Sequence, residues 1–236
     1  MSLTRSITEA PILLLLGALT GAMLGPAAAA MSVAVPDRCW PWQQVGSTRW
    51  LRGEPAGVRR RLGMALAGAV VLGSLAVSIG WRPAAVAFAL MGFVGVILGA
   101  IDLEHHRLPD RLTLSGAVGS GVALLLDAAA TGDSWPNLLR GLICAGVAFA
   151  MFLVMALISP SGMGFGDVKL AALLALHTGW LSWQLAIVAV LAGFLLGGVA
   201  SLVLVATRRA TLRTAIAFGP ALLVGAWLAV VTAAAT

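Results

Sequence analysis

The chain has 236 residues, of which 60% are apolar and only 10% charged, and its formal net charge is +6. That balance excludes a soluble globular domain: apolar stretches near bilayer-crossing length follow one another, and the longest polar segment, residues 32 to 61, is too short to bury much surface of its own. A β-barrel is excluded as well, because the stretches are continuous and rich in Ala, Leu, Val and Gly, without the period-two alternation of membrane strands. The sequence pI of 11.2 does not signal nucleic acid, since no basic run is interleaved with aromatics. The reading is all-α: a polytopic membrane helix bundle of about eight transmembrane segments, with lipid around it and no nucleic-acid partner.

In chain order the segments are 11 to 31, 62 to 80, 84 to 101, 112 to 130, 138 to 158, 167 to 179, 184 to 206 and 215 to 233. If the loop after the first segment is cytoplasmic, Arg38, Arg49, Arg52, Arg59, Arg60, Arg61, Arg107, Arg111, Lys169, Arg208, Arg209 and Arg213 share that side, leaving Arg5, Arg82 and Arg140 opposite. The positive-inside rule favours this arrangement, with both termini outside. Trp81, Trp135, Trp180 and Trp183 then fall at the outer ends, where amphipathic rings prefer the headgroup level. The first segment also resembles a cleavable signal around Pro26 to Ala30, but cleavage would invert every later helix; a retained helix fits the charges better. Gly17, Gly21 and Gly25 form a small-residue stripe for close helix packing, as do Gly95 with Gly99 and Gly193 with Gly197.

Chemistry concentrates at two acids. The third segment runs into Ile101-Asp102-Leu103-Glu104-His105-His106-Arg107-Leu108-Pro109-Asp110, where Pro109 favours an extended or turning Leu108. The fifth leads to Ser159-Pro160-Ser161-Gly162-Met163-Gly164-Phe165-Gly166-Asp167-Val168-Lys169-Leu170, a Gly/Pro-rich loop that places Asp167 at the start of a helix. Either acid alone could be a helix cap. The sixth segment, however, spans only about 20 Å of a hydrocarbon core about 30 Å thick, which places Asp167 about 10 Å inside. An intramembrane acid is by default a functional candidate. Glu104, His105 and His106 lack the spacing of a zinc motif, and adjacent histidines on a helix point about 100° apart. They read as headgroup-level residues, and His177 as an outer-end interfacial one. Lys169 reads as a snorkelling cation. Cys39 and Cys144 are too few for a thiolate zinc site, and no metal is expected.

Asp102 with Leu108-Pro109-Asp110, then Gly164-Phe165-Gly166-Asp167-Val168-Lys169-Leu170, and finally Phe218-Gly219-Pro220 resemble the motifs of the bacterial type IV prepilin peptidases, GxGD-type intramembrane aspartic proteases. The likeness covers roughly residues 62 to 233. It implies Asp102 and Asp167 as the catalytic pair, with Gly164, Gly166, Lys169, Pro109 and Asp110 as supporting motif positions, no cofactor, and a domain division into 1–61 and 62–236, the second part being the peptidase. The implied partner is the N-terminal segment of a type IV prepilin or type II secretion pseudopilin, cut on the cytoplasmic side of the inner membrane; a homo-oligomer stays open. The paired CxxC motifs of the bifunctional relatives' methyltransferase region are missing: Arg38-Cys39-Trp40-Pro41-Trp42 and Trp50-Leu51-Arg52-Gly53 resemble worn remnants, so N-methylation is not expected. By helix-end electrostatics, Asp167 at an N-terminus is the expected base and Asp102 at a C-terminus the expected acid. Competing readings are a transporter using intramembrane carboxylates, disfavoured because no internal repeat is evident, and a noncatalytic assembly subunit, disfavoured because both acids are present.

Overall fold

A computed structural model describes residues 9–34, 56–158, 163–208 and 217–234. Arg5, the remnant region from Arg38 to Gly53, Glu54, the loop residues Ser159, Pro160, Ser161 and Gly162, and Arg209 and Arg213 lie outside the described residues. The described residues form eight helices and no strand: α1 (Glu9–Ala34), α2 (Val58–Ile79), α3 (Ala84–His105), α4 (Asp110–Thr131), α5 (Trp135–Ile158), α6 (Phe165–Leu181), α7 (Trp183–Ala206) and α8 (Gly219–Ala233). Each apolar segment of the sequence has its helix. Six of them, α1 to α5 and α7, are long and apolar enough to cross a bilayer. The chain is a polytopic helical membrane protein.

The helix boundaries have local causes. Gly80 (φ 79°) and Gly132 (φ 71°) close α2 and α4 in the left-handed region, each donating its N–H to a carbonyl four residues back. His106 (φ 51°) does the same for α3 without a glycine's freedom, its N–H bonding Asp102 O at 2.9 Å. Ser182 both ends α6 and caps α7, its hydroxyl accepting from Leu185 N–H at 3.1 Å.

The chain divides into two compact units. The first contains α1, α2, α3 as far as Ile101, and α4. Lipid offers no hydrophobic drive for helices to associate, so close backbone packing must hold them together. The stripe of Gly17, Gly21 and Gly25 does this against α2: a methyl on Gly21 would run into the Gly68 carbonyl, and one on Gly17 would lie 2.5 Å from Leu72 O. The start of α3 is tied to α4 by Asp127, a buried acid whose Oδ1 accepts from Ala84 N–H at 2.8 Å. It satisfies one of the amides that every helix N-terminus leaves over.

The second unit contains residues Asp102–Leu108 and Asp133–Val230, hence the last turn of α3 together with α5, α6, α7 and most of α8. Within it α6 is the central helix, with eleven of 17 residues buried against four of 24 in α7. Protein rather than lipid surrounds α6, which is why it can carry Asp167, His177 and Thr178. Gly141 and Gly179 let α5 and α6 touch; a methyl on Gly179 would lie 2.6 Å from Cys144 Cβ. Arg140 completes this seam. Its guanidinium donates to the carbonyls of Gly179 (2.6 Å), Trp180 and Leu181 (2.9 Å), and to Asn137 Oδ1 (3.0 Å). Those carbonyls end α6 and have no acceptor role within it, so a cation there satisfies them and complements the helix dipole. Arg140→Ala is therefore expected to cost about 3 kcal/mol of stability, since charged hydrogen bonds contribute about 1.5–3 kcal/mol each and are not additive. Thermal unfolding in detergent measures it, and an unchanged midpoint would show the clamp to be dispensable.

Three expectations from the sequence differ from the structure. The sixth helix is 17 residues, not 13, because Phe165 and Gly166 form its first turn instead of belonging to the loop and because it continues through Trp180 and Leu181. It is then about 26 Å long, so length alone does not sink Asp167 into the bilayer. Trp180 is buried rather than at an interface, unlike the exposed Trp81, Trp135 and Trp183. His177 is buried too, its Nδ1 paired with Leu173 O at 2.8 Å, because the face of α6 it occupies packs against protein.

Candidate active site

Gly164 caps α6 in an extended conformation (φ −78°, ψ 149°), and Asp167 is the third residue of the helix. From there a carboxylate can reach back over the first turn. Asp167 Oδ2 accepts from Gly164 N–H at 3.2 Å, while Asp167 N–H donates to Gly164 O at 3.0 Å. The turn thus fixes the acid from both sides, and Asp167 is only 9% exposed.

Asp102 lies in the last turn of α3 and is 4% exposed. Its Oδ2 accepts from Gly219 N–H at 3.0 Å, a contact across 117 positions that sets the carboxyl against the first residue of α8. Both acids belong to the second unit. Leu108 shows how closely their supports converge: a methyl on Gly166 would lie 2.8 Å from Leu108 Cβ, and one on Gly219 would lie 3.4 Å from Leu108 Cδ1. The glycine beside Asp167 and the glycine bonded to Asp102 therefore press on one leucine side chain.

This arrangement removes the basis for assigning roles from helix ends. Asp102 closes α3 but also faces the N-terminus of α8, so both carboxyls sit at positive helix ends. Each engages its Oδ2 with a backbone amide. Such a pair can handle a proton in both directions, holding one proton between two groups and exchanging it with a bound water and a carbonyl.

The supporting motif residues fall into different places. Gly164 and Gly166 build the turn of Asp167. The ammonium of Lys169 lies 4.6 Å from the centre of the Phe165 ring, and that ring meets Phe149 edge-on at 6.3 Å, so the lysine covers the aromatic start of α6. Pro109 precedes α4 and its carbonyl accepts from Leu112 and Thr113 N–H, while Asp110 is exposed in that helix's first turn. Both belong to the first unit. Glu104, His105 and His106 are exposed. Sequence reasoning missed the bond from Gly219 to Asp102; the only signal was Phe218-Gly219-Pro220 at the start of a helix.

Residues 89–202, which include both acids, match the model of the type IV leader peptidase family. Among proteins named prepilin leader peptidase/N-methyltransferase, one from Pseudomonas aeruginosa is 27% identical over 200 residues, covering 80% of this chain and 66% of the relative. One from Stutzerimonas stutzeri is 27% identical, covering 86% and 74%, and one from Burkholderia pseudomallei 32% identical, covering 80% and 61%. The chain thus spans about two-thirds of the length of these leader peptidases. No solved structure matches it significantly.

Proposed function

We propose that this chain is a membrane-embedded aspartic endopeptidase that removes the leader of a type IV prepilin or type II secretion pseudopilin. The observation that carries the reading is the pair Asp102 and Asp167, buried in one unit, each pinned through Oδ2 to a motif glycine, and both supported against the side chain of Leu108. In the reaction, the ionised carboxyl takes a proton from a water as that water attacks the scissile carbonyl carbon. The protonated carboxyl gives its proton to the carbonyl oxygen, and collapse of the tetrahedral intermediate expels the amine with a proton returned by the pair. Placing both acids on rigid backbone supports favours this chemistry, because misplacement by about 1 Å can cost about 100-fold in rate. A transporter would place such acids near the midplane between repeats.

The basic residues between helices favour a cytoplasmic site in the inner membrane, where a prepilin's apolar helix would lie in the bilayer with its leader in the cytoplasm. The exposed leucines and valines of α7, such as Leu191, Leu195, Val199 and Leu202, suit acyl chains. The reading stops at cleavage: Cys39 lacks the partners that a methyltransferase-type zinc site requires.

The test is incubation of the purified chain in detergent with a prepilin carrying its leader, followed by mass analysis of the product. A single cut at the leader boundary is expected, unaffected by EDTA. Cleavage abolished by chelator yet retained when either aspartate is replaced would overturn the reading in favour of a metalloprotease.

A further inference from the structure

Phe218-Gly219-Pro220 opens α8 at a point where three contacts meet. Phe218 is held from behind: its ring centre lies 5.3 Å from that of Phe194, which lies 5.3 Å from Phe152, and a methyl on Gly197 would run into the Phe218 ring. Pro220 has no N–H to offer, so the first amides of the helix are few and Gly219 N–H is the one bonded to Asp102 Oδ2. A methyl on Gly219 would lie 2.8 Å from that same Oδ2, 3.3 Å from Asp102 Cγ and 3.4 Å from Leu108 Cδ1. The first two distances are closer than a carbon and a carboxyl can stand without one moving. The approach to Leu108 is ordinary contact, and the same leucine side chain also lies against Gly166, next to Asp167.

We propose that Gly219 is a positioning residue for the peptidase reaction: its amide fixes the rotamer of Asp102, and its missing side chain keeps the space that lets Asp102 and Leu108 pack in register with the turn of Asp167. The inference rests on the endopeptidase reading for its kinetic consequence, but the contact itself does not depend on it. Two other features have plainer roles. The small apolar space between α6, α7 and α8 around Thr178 and Leu222 is lined almost wholly by aliphatic side chains, and Asp127 is occupied by the start of α3.

The experiment is Gly219→Ala, alone and combined with Asp102→Ala, in the full chain purified in detergent. With a prepilin substrate, Gly219→Ala is expected to lower kcat about 100-fold with KM within about twofold, the signature of a displaced reacting group rather than lost substrate binding. A folding defect that merely removed active molecules would be read out in the stability cycle. There, Gly219→Ala lowers the unfolding midpoint by about 4 °C when Asp102 is present and by under about 1 °C in the Asp102→Ala background, since the added methyl then has room. Should the single variant fail to fold while the double variant folds, the contact is supported. Failure of both, an equal loss in both backgrounds, or unchanged kcat in Gly219→Ala overturns the proposal. A wild-type chain that cleaves no prepilin would instead sink the endopeptidase reading, while the stability cycle would still report on the contact.

Discussion

Asp102→Asn and Asp167→Asn are each expected to reduce prepilin cleavage at least about 1,000-fold while leaving the chain folded, the range for loss of a positioned acid or base. The substitution suits this site because an amide keeps the shape of the carboxyl and one accepting oxygen. The amide oxygen introduced at position 102 can still accept from Gly219 N–H, and that at position 167 from Gly164 N–H, so the structural bonds at 3.0 and 3.2 Å survive while the shared proton does not. The double variant should be no slower than the slower single one, because the two groups act as one unit. Cleavage followed by gel shift, beside thermal unfolding of the same preparations, separates the effects. Asp167→Asn with substantial activity would reduce that acid to the cap of α6 and remove the dyad.

The pH dependence follows from the same pair. If one proton is shared, activity falls at low pH when both carboxyls are protonated and at high pH when neither is, giving a bell whose limbs belong to the pair and not to either residue.

Much of this was legible in the sequence, for reasons tied to particular residues. Every helix announced itself as an apolar run, because a chain in lipid must satisfy its backbone within each segment, and no tertiary context can override that. Asp102 and Asp167 stood out because charges are scarce among such runs. What stayed hidden were contacts distant in sequence. Nothing in the pattern around Arg140 tells a headgroup cation from a clamp on the last carbonyls of α6, and nothing around His177 or Trp180 tells an interfacial ring from one buried between helices. These residues lie near helix ends, where hydropathy gives depth but not direction. The start of α6 is obscured for a related reason: glycine on both sides of Phe165 reads as loop, whereas a helix whose N-cap amide, Gly164 N–H, is met by the Asp167 carboxyl needs little propensity there. The bond between Gly219 and Asp102 joins two motifs 117 positions apart, a distance over which local pattern carries no information.

The stripe on α1 gives the second large effect. Gly21→Val is expected to destabilise the chain by about 3 kcal/mol or more, at the upper end for overpacking, because the obstacle is backbone and cannot rotate away. A side chain at position 21 would meet the carbonyl of Gly68 and the amide of Ala69, and a methyl on Gly68 would in return lie 2.6 Å from Gly21 O. Parting the two helices to admit it also opens the contacts of Gly17 with Leu72 and Gly25 with Ala65, so dispersion is lost along the whole seam. Gly63→Ala is the control: a methyl there meets nothing within 4 Å, and alanine in an exposed helical position should stabilise by up to about 1 kcal/mol. Unfolding of both variants in detergent checks the contrast, and equal midpoints would show that α1 and α2 do not rely on backbone contact. Cleavage by Gly21→Val should persist below its unfolding midpoint, because Asp102, Leu108, Gly164, Asp167 and Gly219 all belong to the other unit.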